Sequence, residues 1–172
     1  MPKVLVLLPP RPDALAAVAD AIAEGARSVQ YTEVDVRRTP PIGAAGAPAV
    51  PDDPEVQRYR FLDSPDRLAD YAAVAVGAPG GDGALPPELE ALFSHAAQLR
   101  RDGLLTDVIG SAFVPASVAG ERAWPVLGAL ARLGMLLVPP ESMAPDAVEE
   151  APGAGGVPPL VAARRQGARI AK

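Results

Sequence analysis

The chain contains no cysteine. Disulfides, thiolate nucleophiles and cysteine-ligated zinc are therefore excluded, and the absence fits a reducing compartment. Histidine occurs once, as His95, so any imidazole base or ligand, including that of a Ser-His-Asp triad, has one candidate. Aromatic residues make up 4% of the chain and Trp124 is its only tryptophan. A sequence that is 49% hydrophobic must then build its core from Ala, Val and Leu. An excess of positive charge is also missing. Sixteen Lys and Arg against 21 Asp and Glu leave a formal charge of −5, which argues against broad neutralisation of nucleic-acid phosphates. No apolar run approaches the ~18 residues of a spanning helix. Only five apolar residues separate Lys3 from Pro9, too few for the apolar stretch of a secretion leader. The expectation is a cytoplasmic protein that engages neither membrane nor nucleic acid.

What is present is an alternation of two periods. Residues 3–8, KVLVLL, form a continuous apolar run, the mark of a strand buried on both faces. Residues 13–29 follow with helical spacing: Leu15, Val18, Ile22 and Ala26 share one face, Asp20 and Glu24 another. Residues 31–37 alternate as a second strand. Ser64 and Pro65 open a short helix over 64–71, as cap and first helical residue. Strands are expected at 72–79, 107–115 and 135–139, and helices at 86–100, 120–134 and 159–172. Twenty-one Pro and 16 Gly cluster in a few stretches. Residues 39–62 and 140–157 are read as flexible loops of one domain spanning 1–172.

Strands alternating with helices imply a parallel sheet covered on both faces by right-handed crossovers. Five such units fit a flavodoxin-like, doubly wound α/β sandwich of three layers and strand order 2-1-3-4-5. The ligand crevice of such a sheet lies beyond the carboxyl ends of strands one and three. That directs attention to residues 9–14 and 78–85, with 115–121 nearby. The GxxxxGK and GxGxxG phosphate fingerprints are absent.

Several segments carry a resemblance: PKVLVL at the start, AIAEGA at 21–26, EVDVRR at 33–38, LADYAAVAVGAP at 68–79, GMLLVP at 134–139 and ARRQGARIA at 163–171. Together they resemble WrbA-type NAD(P)H:quinone oxidoreductases, flavodoxin-fold enzymes that bind FMN and form tetramers. The likeness implies FMN as cofactor and a dimer or tetramer of the chain. It is specific in the scaffold and departs in the cofactor loops.

The family's first loop carries Ser or Thr, then Gly, around the FMN phosphate. The matching positions here are Pro10, Arg11, Pro12, Asp13, Ala14 and Leu15. Pro10 takes the Ser/Thr position and Asp13 the Gly position; Pro10 and Pro12 have no N–H to donate. Asp13 falls where a helix cap belongs, a role worth ~1 kcal/mol. A phosphate charge ~4 Å from that carboxylate is opposed by about 4 kcal/mol at an effective dielectric near 20, which Arg11 would partly offset. The second loop keeps the family's Pro79 and Gly83, with Ala78 at its Thr position and Gly81 and Asp82 where Arg and Phe would flank the flavin. The amides of Gly80, Gly81 and Gly83 remain as donors to a planar ring. In the third loop, around Ala116, Ser117 and Gly120 are the remnants of a Ser/Thr/Gly-rich segment. The family's ring-facing His falls at Leu133, beside Arg132.

These departures lead to the expectation that FMN is absent or weakly held. The chain is then a cofactor-free binding or assembly relative, with a crevice closed by Pro9, Pro10 and Asp13 or open to another small molecule. The alternatives are an FMN-dependent quinone reductase with an atypical site, and a structural subunit that pairs through its Ala/Leu-rich helices. His95 is expected on a helix surface. Phe93 and Trp124 are expected as core or subunit-interface anchors, Trp124 alternatively roofing the crevice. Asp13, Asp82 and Glu121 map to the crevice rim on separate loops and are read as solvated acids rather than as a hard-cation set; no metal site and no catalytic residue is expected. Arg164, Arg165 and Arg169 are expected to favour the dipole of the last helix or to solvate it.

Overall fold

The computed structural model describes residues 1–10, 14–41, 54–78, 84–115, 120–140 and 159–172. Five parallel strands form one sheet in the order β2-β1-β3-β4-β5: β1 (Lys3–Leu8), β2 (Glu33–Arg38), β3 (Ala73–Gly77), β4 (Ile109–Phe113) and β5 (Leu136–Val138). The helices are α1 (Ala16–Arg27), the single turn α2 (Pro54–Gln57), α3 (Pro87–Arg101), α4 (Trp124–Arg132) and α5 (Pro159–Ile170), with 3₁₀ turns at Pro65–Asp70 and Gly120–Ala123. Architecture and strand order are those expected of a flavodoxin-like fold.

Side-chain alternation divides the sheet between two helical layers. Val4, Val6, Leu8, Ala73, Ala75 and Phe113 pack beneath α1 and α5. On the opposite face, Leu5, Leu7, Val74, Val76 and Ala112 pack beneath α3, α4 and the first 3₁₀ turn. Each fully buried Val or Leu contributes about 1.5–3 kcal/mol, so the continuous apolar runs of β1 and β3 are what a two-sided sheet demands. The predicted face of α1 is buried as expected: Leu15, Val18, Ile22 and Ala26 all lie inside. Ser64 caps the first 3₁₀ turn, its Oγ accepting from the Asp66 amide at 3.3 Å.

Helices α1 and α5 meet without intervening side chains. A Cβ on Gly25 would overlap the carbonyl oxygen of Arg164, and one on Gly167 would overlap that of Ile22. Only glycine permits two backbones to approach so closely. Arg164 also pairs with Glu24 across this crossing at 2.8 Å, a more specific role than solvating the helix. Behind it, buried Gln166 donates from Nε2 to Ser111 Oγ and to the Ala112 carbonyl, both at 2.8 Å. Ser111 Oγ in turn donates to Val138 O at 2.5 Å, tying α5 to β4 and β5.

Part of the segment read as loop is docked on the sheet. Phe61 bridges to Arg38 in parallel fashion, with Arg38 N donating to Arg60 O at 2.9 Å and Leu62 N to Arg38 O at 2.8 Å. Leu62 is buried. The carboxyl end of edge strand β2 is thereby covered, which removes unpaired ladder groups.

Candidate functional site

The winding reverses at β1, which lies between β2 and β3, so the carboxyl ends of β1 and β3 frame the crevice. Among the described residues that the sequence places there are Pro10, Ala14, Leu15 and Ala78. Pro10, Leu15 and Ala78 are buried and Ala14 is exposed. Ala78 N donates to Phe113 O at 2.7 Å, joining the exits of β3 and β4. Arg11, Pro12, Asp13, Pro79, Gly80, Gly81, Asp82, Gly83, Ala116 and Ser117 lie outside the described residues.

Helix α1 starts later than expected. The helix begins at Ala16, with Leu15 at its cap position; Asp13 lies outside the described residues. The Leu15 side chain is fully enclosed. Leu15 fills the space at the head of β3. A Cβ on Gly77 would come within 3.1 Å of Leu15 Cδ1 and 3.2 Å of Phe113 Cζ. Leu15 and Phe113 belong to the buried cluster beneath α1 and α5, which reaches the head of β3.

On the β2 side stands a polar group that sequence reasoning missed. Arg38 is 1% exposed and donates from Nη1 to the Pro9 carbonyl at 2.8 Å. Thr39 closes the next carbonyl, donating to Leu8 O from its amide at 2.7 Å and from Oγ1 at 3.1 Å. The Arg38 guanidinium lies 5.7 Å from the centroid of the Tyr59 ring. Tyr59 is held in turn by α1: its hydroxyl donates to Asp20 Oδ1 at 2.5 Å, and Arg58 pairs with Asp20 Oδ2 at 2.9 Å. Burial and then the Asp20 hydrogen bond push the Tyr59 phenol up to about 12. A signal for Arg38 was present in the alternation Val34, Val36, Arg38, which places it on the α1 face beside Leu8, its register partner.

The family's histidine position is not a crevice position here. Leu133 follows α4 as its carboxyl-terminal cap and is buried. It precedes β5, whose first residue pairs with Ile109 at the amino end of β4, so Leu133 lies at the sheet end opposite the crevice. The cause is topological, since α4 carries the chain back along the sheet. Trp124 is 61% exposed, which rules out the core branch of its expectation and leaves the interface-anchor and crevice-roof branches, whereas Phe93 is buried. His95 is on the surface of α3, its Nε2 3.5 Å from Asp66 Oδ1. Among the described residues no group of three or more His, Asp or Glu is placed to hold a metal. Glu121 is exposed, while Asp13 and Asp82 lie outside those residues. No described helix is long and apolar enough to cross a membrane.

No protein-family model matches the chain. Similarity to curated proteins is clear. A stretch of 142 residues, 80% of the chain, is 32% identical to an NAD(P)H dehydrogenase (quinone) of Cupriavidus metallidurans and covers 70% of that protein. A stretch of 119 residues is 34% identical to a protein of the same name from a Bradyrhizobium species, over 66% of the chain and 56% of the relative. The chain thus spans between about half and seven-tenths of the length of these relatives. Among solved structures, the WrbA-like flavodoxin of Agrobacterium tumefaciens superposes with a TM-score of 0.58 at 20% identity, covering 99% of this chain and 96% of that one. A flavodoxin from the Archaea superposes at 0.54 and 17% identity, over 98% and 96%. The structural likenesses speak to the fold, and the sequence relatives to descent. The chain belongs to the WrbA-type, flavodoxin-fold family of NAD(P)H dehydrogenases (quinone).

Proposed function

We propose that this chain is a WrbA-family protein that has kept the scaffold and given up tight FMN binding, serving as a cofactor-free binding or assembly relative in the cytoplasm. The observation that carries this reading is the packing of Leu15 against Gly77 and Phe113 at the head of β3. Hydrocarbon occupies the head of β3 between Leu15 and Phe113, whereas a phosphate and a polar ring need donors. The sequence adds Pro10 and Pro12, which have no N–H, and Asp13, a like charge to phosphate. On this reading the chain associates with itself as a dimer or tetramer, and the remaining crevice admits at most a small molecule less anionic than FMN.

One feature favours the alternative, an FMN-dependent NAD(P)H:quinone oxidoreductase with an atypical site. The first turn of α1 holds no acidic residue, and the amino end of a helix attracts anions. FMN would supply hydride acceptance and quinone reduction there.

An absorption spectrum of the purified protein separates the two, followed by titration with FMN while Trp124 fluorescence is read. The expected result is no flavin spectrum and no saturable quenching at micromolar FMN. A flavin spectrum or saturation at micromolar FMN would establish the alternative. The triple variant Pro10→Ser, Pro12→Tyr, Asp13→Gly is expected to gain FMN affinity over the wild type.

A further inference from the structure

Residues 58–62 run beside the carboxyl end of β2 and are fastened there by contacts of different kinds. Their backbone pairs with Arg38, whose amide donates to Arg60 O at 2.9 Å and whose carbonyl accepts from Leu62 N at 2.8 Å. The Leu62 side chain is buried. A further contact reaches across to α1. There Asp20 takes two consecutive residues of the segment, Tyr59 through its hydroxyl on Oδ1 and Arg58 through Nη2 on Oδ2. The Arg58 and Asp20 side chains keep 62% and 40% of their surface in solvent.

Such fastenings belong to a unit that opens by itself. Val4 to Leu8 of β1 and all of β3 are buried, so those strands separate only when the core does. The segment 58–62 lies at the sheet edge and turns Arg58 and Arg60 to solvent. Few buried apolar groups and solvent-exposed hydrogen bonds mark regions that open locally, below the cost of global unfolding. An exposed ion pair alone holds little; with the phenol on the same carboxylate, it pins the segment to α1 at one point.

The consequences of opening reach the crevice. The Tyr59 ring lies 5.7 Å from the Arg38 guanidinium, which is buried and donates to the Pro9 carbonyl at 2.8 Å. Thr39, the next residue, holds Leu8 O. Pro9 and Pro10 follow β1 and form its lip of the crevice. A continuous series thus runs from Asp20 through Tyr59 and Arg38 to that lip. Lifting Tyr59 admits water to the guanidinium, and a hydrogen bond that competes with water is weaker than a buried one. We infer that residues 58–62 are a strap latched to α1 by Asp20, and that strap and crevice lip open together. Linkage makes the coupling reciprocal: a ligand that displaces the lip favours the open strap, and one that fits the docked lip closes it. The inference holds whether or not FMN binds.

The test is amide hydrogen exchange of the intact chain, read residue by residue by NMR at one pH. Asp20→Ala should speed exchange at the Leu62 and Thr39 amides at least tenfold. The Ile109 amide, which donates to Ala72 O at the other end of the sheet, should be unchanged. Tyr59→Phe should act in the same direction. Glu24→Ala, one turn further along α1, breaks the pair with Arg164 and should leave Leu62 unchanged. In the wild type, exchange at Leu62 should depend less on added urea than exchange at Ile109, the mark of local opening, and this arm needs no variant to fold. Leu62 exchange that Asp20→Ala leaves unaltered overturns the latch, as does an equal effect of Glu24→Ala. Acceleration at Leu62 without Thr39 overturns the coupling to the lip. Equal acceleration at Ile109, or an equal urea dependence in the wild type, overturns the separate strap.

Discussion

The guanidinium of Arg38, at the end of β2, donates to the carbonyl of Pro9, just past the end of β1, at 2.8 Å within the core. The bond ties two neighbouring strands beyond the last rung of their ladder. A hydrogen bond from a charged group contributes about 1.5–3 kcal/mol, and an abandoned buried carbonyl adds to the cost of losing it. Arg38→Leu is therefore expected to lower unfolding stability by roughly 2–4 kcal/mol. Urea denaturation at neutral pH measures this. A loss below about 0.5 kcal/mol, the range of ordinary surface substitutions, would show that the guanidinium does not hold the strands.

The crossing of α1 and α5 rests on Gly25 and Gly167, each against a backbone carbonyl of the other helix. Backbone cannot rotate aside as a side chain can. Gly25→Ala and Gly167→Ala are each expected to cost at least the ~1–3 kcal/mol typical of overpacking. Gly128, midway along α4, is the control, because a Cβ there meets only Arg132 Nη1 at 4.0 Å. Gly128→Ala should be neutral or stabilising by up to about 1 kcal/mol. Thermal melts of the three variants decide the matter, and equal effects at all three would contradict the close packing.

Tyr59 and Tyr71 share a design on different faces of the fold. Burial, and then a hydrogen bond to Asp20 or Asp35, raises each phenol to about 12. The folded chain therefore holds its phenolic protons more tightly than the unfolded chain, whose tyrosines titrate near 10. The stability they contribute is fully present below about pH 10 and is lost as pH rises from there through about 12. The urea midpoint should fall over that window, and Tyr59→Phe should make the fall shallower. Phenolate absorbance should show two tyrosines ionising near pH 12 in the native protein. A native titration complete by about pH 10.5 would contradict both hydrogen bonds.

Several features of this protein follow from sequence alone because local chemistry decides them. Apolar runs alternating with helical periods require a parallel sheet between two helical layers, and β1, α1 and β3 bury the residues that their patterns select. Ser64 followed by Pro65 suffices for a cap, since the donor it serves lies two residues away. The same applies to the surface place of His95 on α3.

Other features required the folded chain, because they join residues whose separation no local pattern records. Arg38 could be read as the polar end of a strand; its burial depends on Pro9 and on Tyr59, brought over it by a segment that looked like loop. Leu15 could be read as one member of an apolar helix face; its place against Gly77, beside Phe113, exists only once β3 and β4 stand side by side. Leu133 matched a crevice residue by position in the sequence, yet the length of α4 carries it to the other end of the sheet. Composition and periodicity determine which faces become apolar; only tertiary packing decides which groups meet where the elements end, and the crevice is built from those ends.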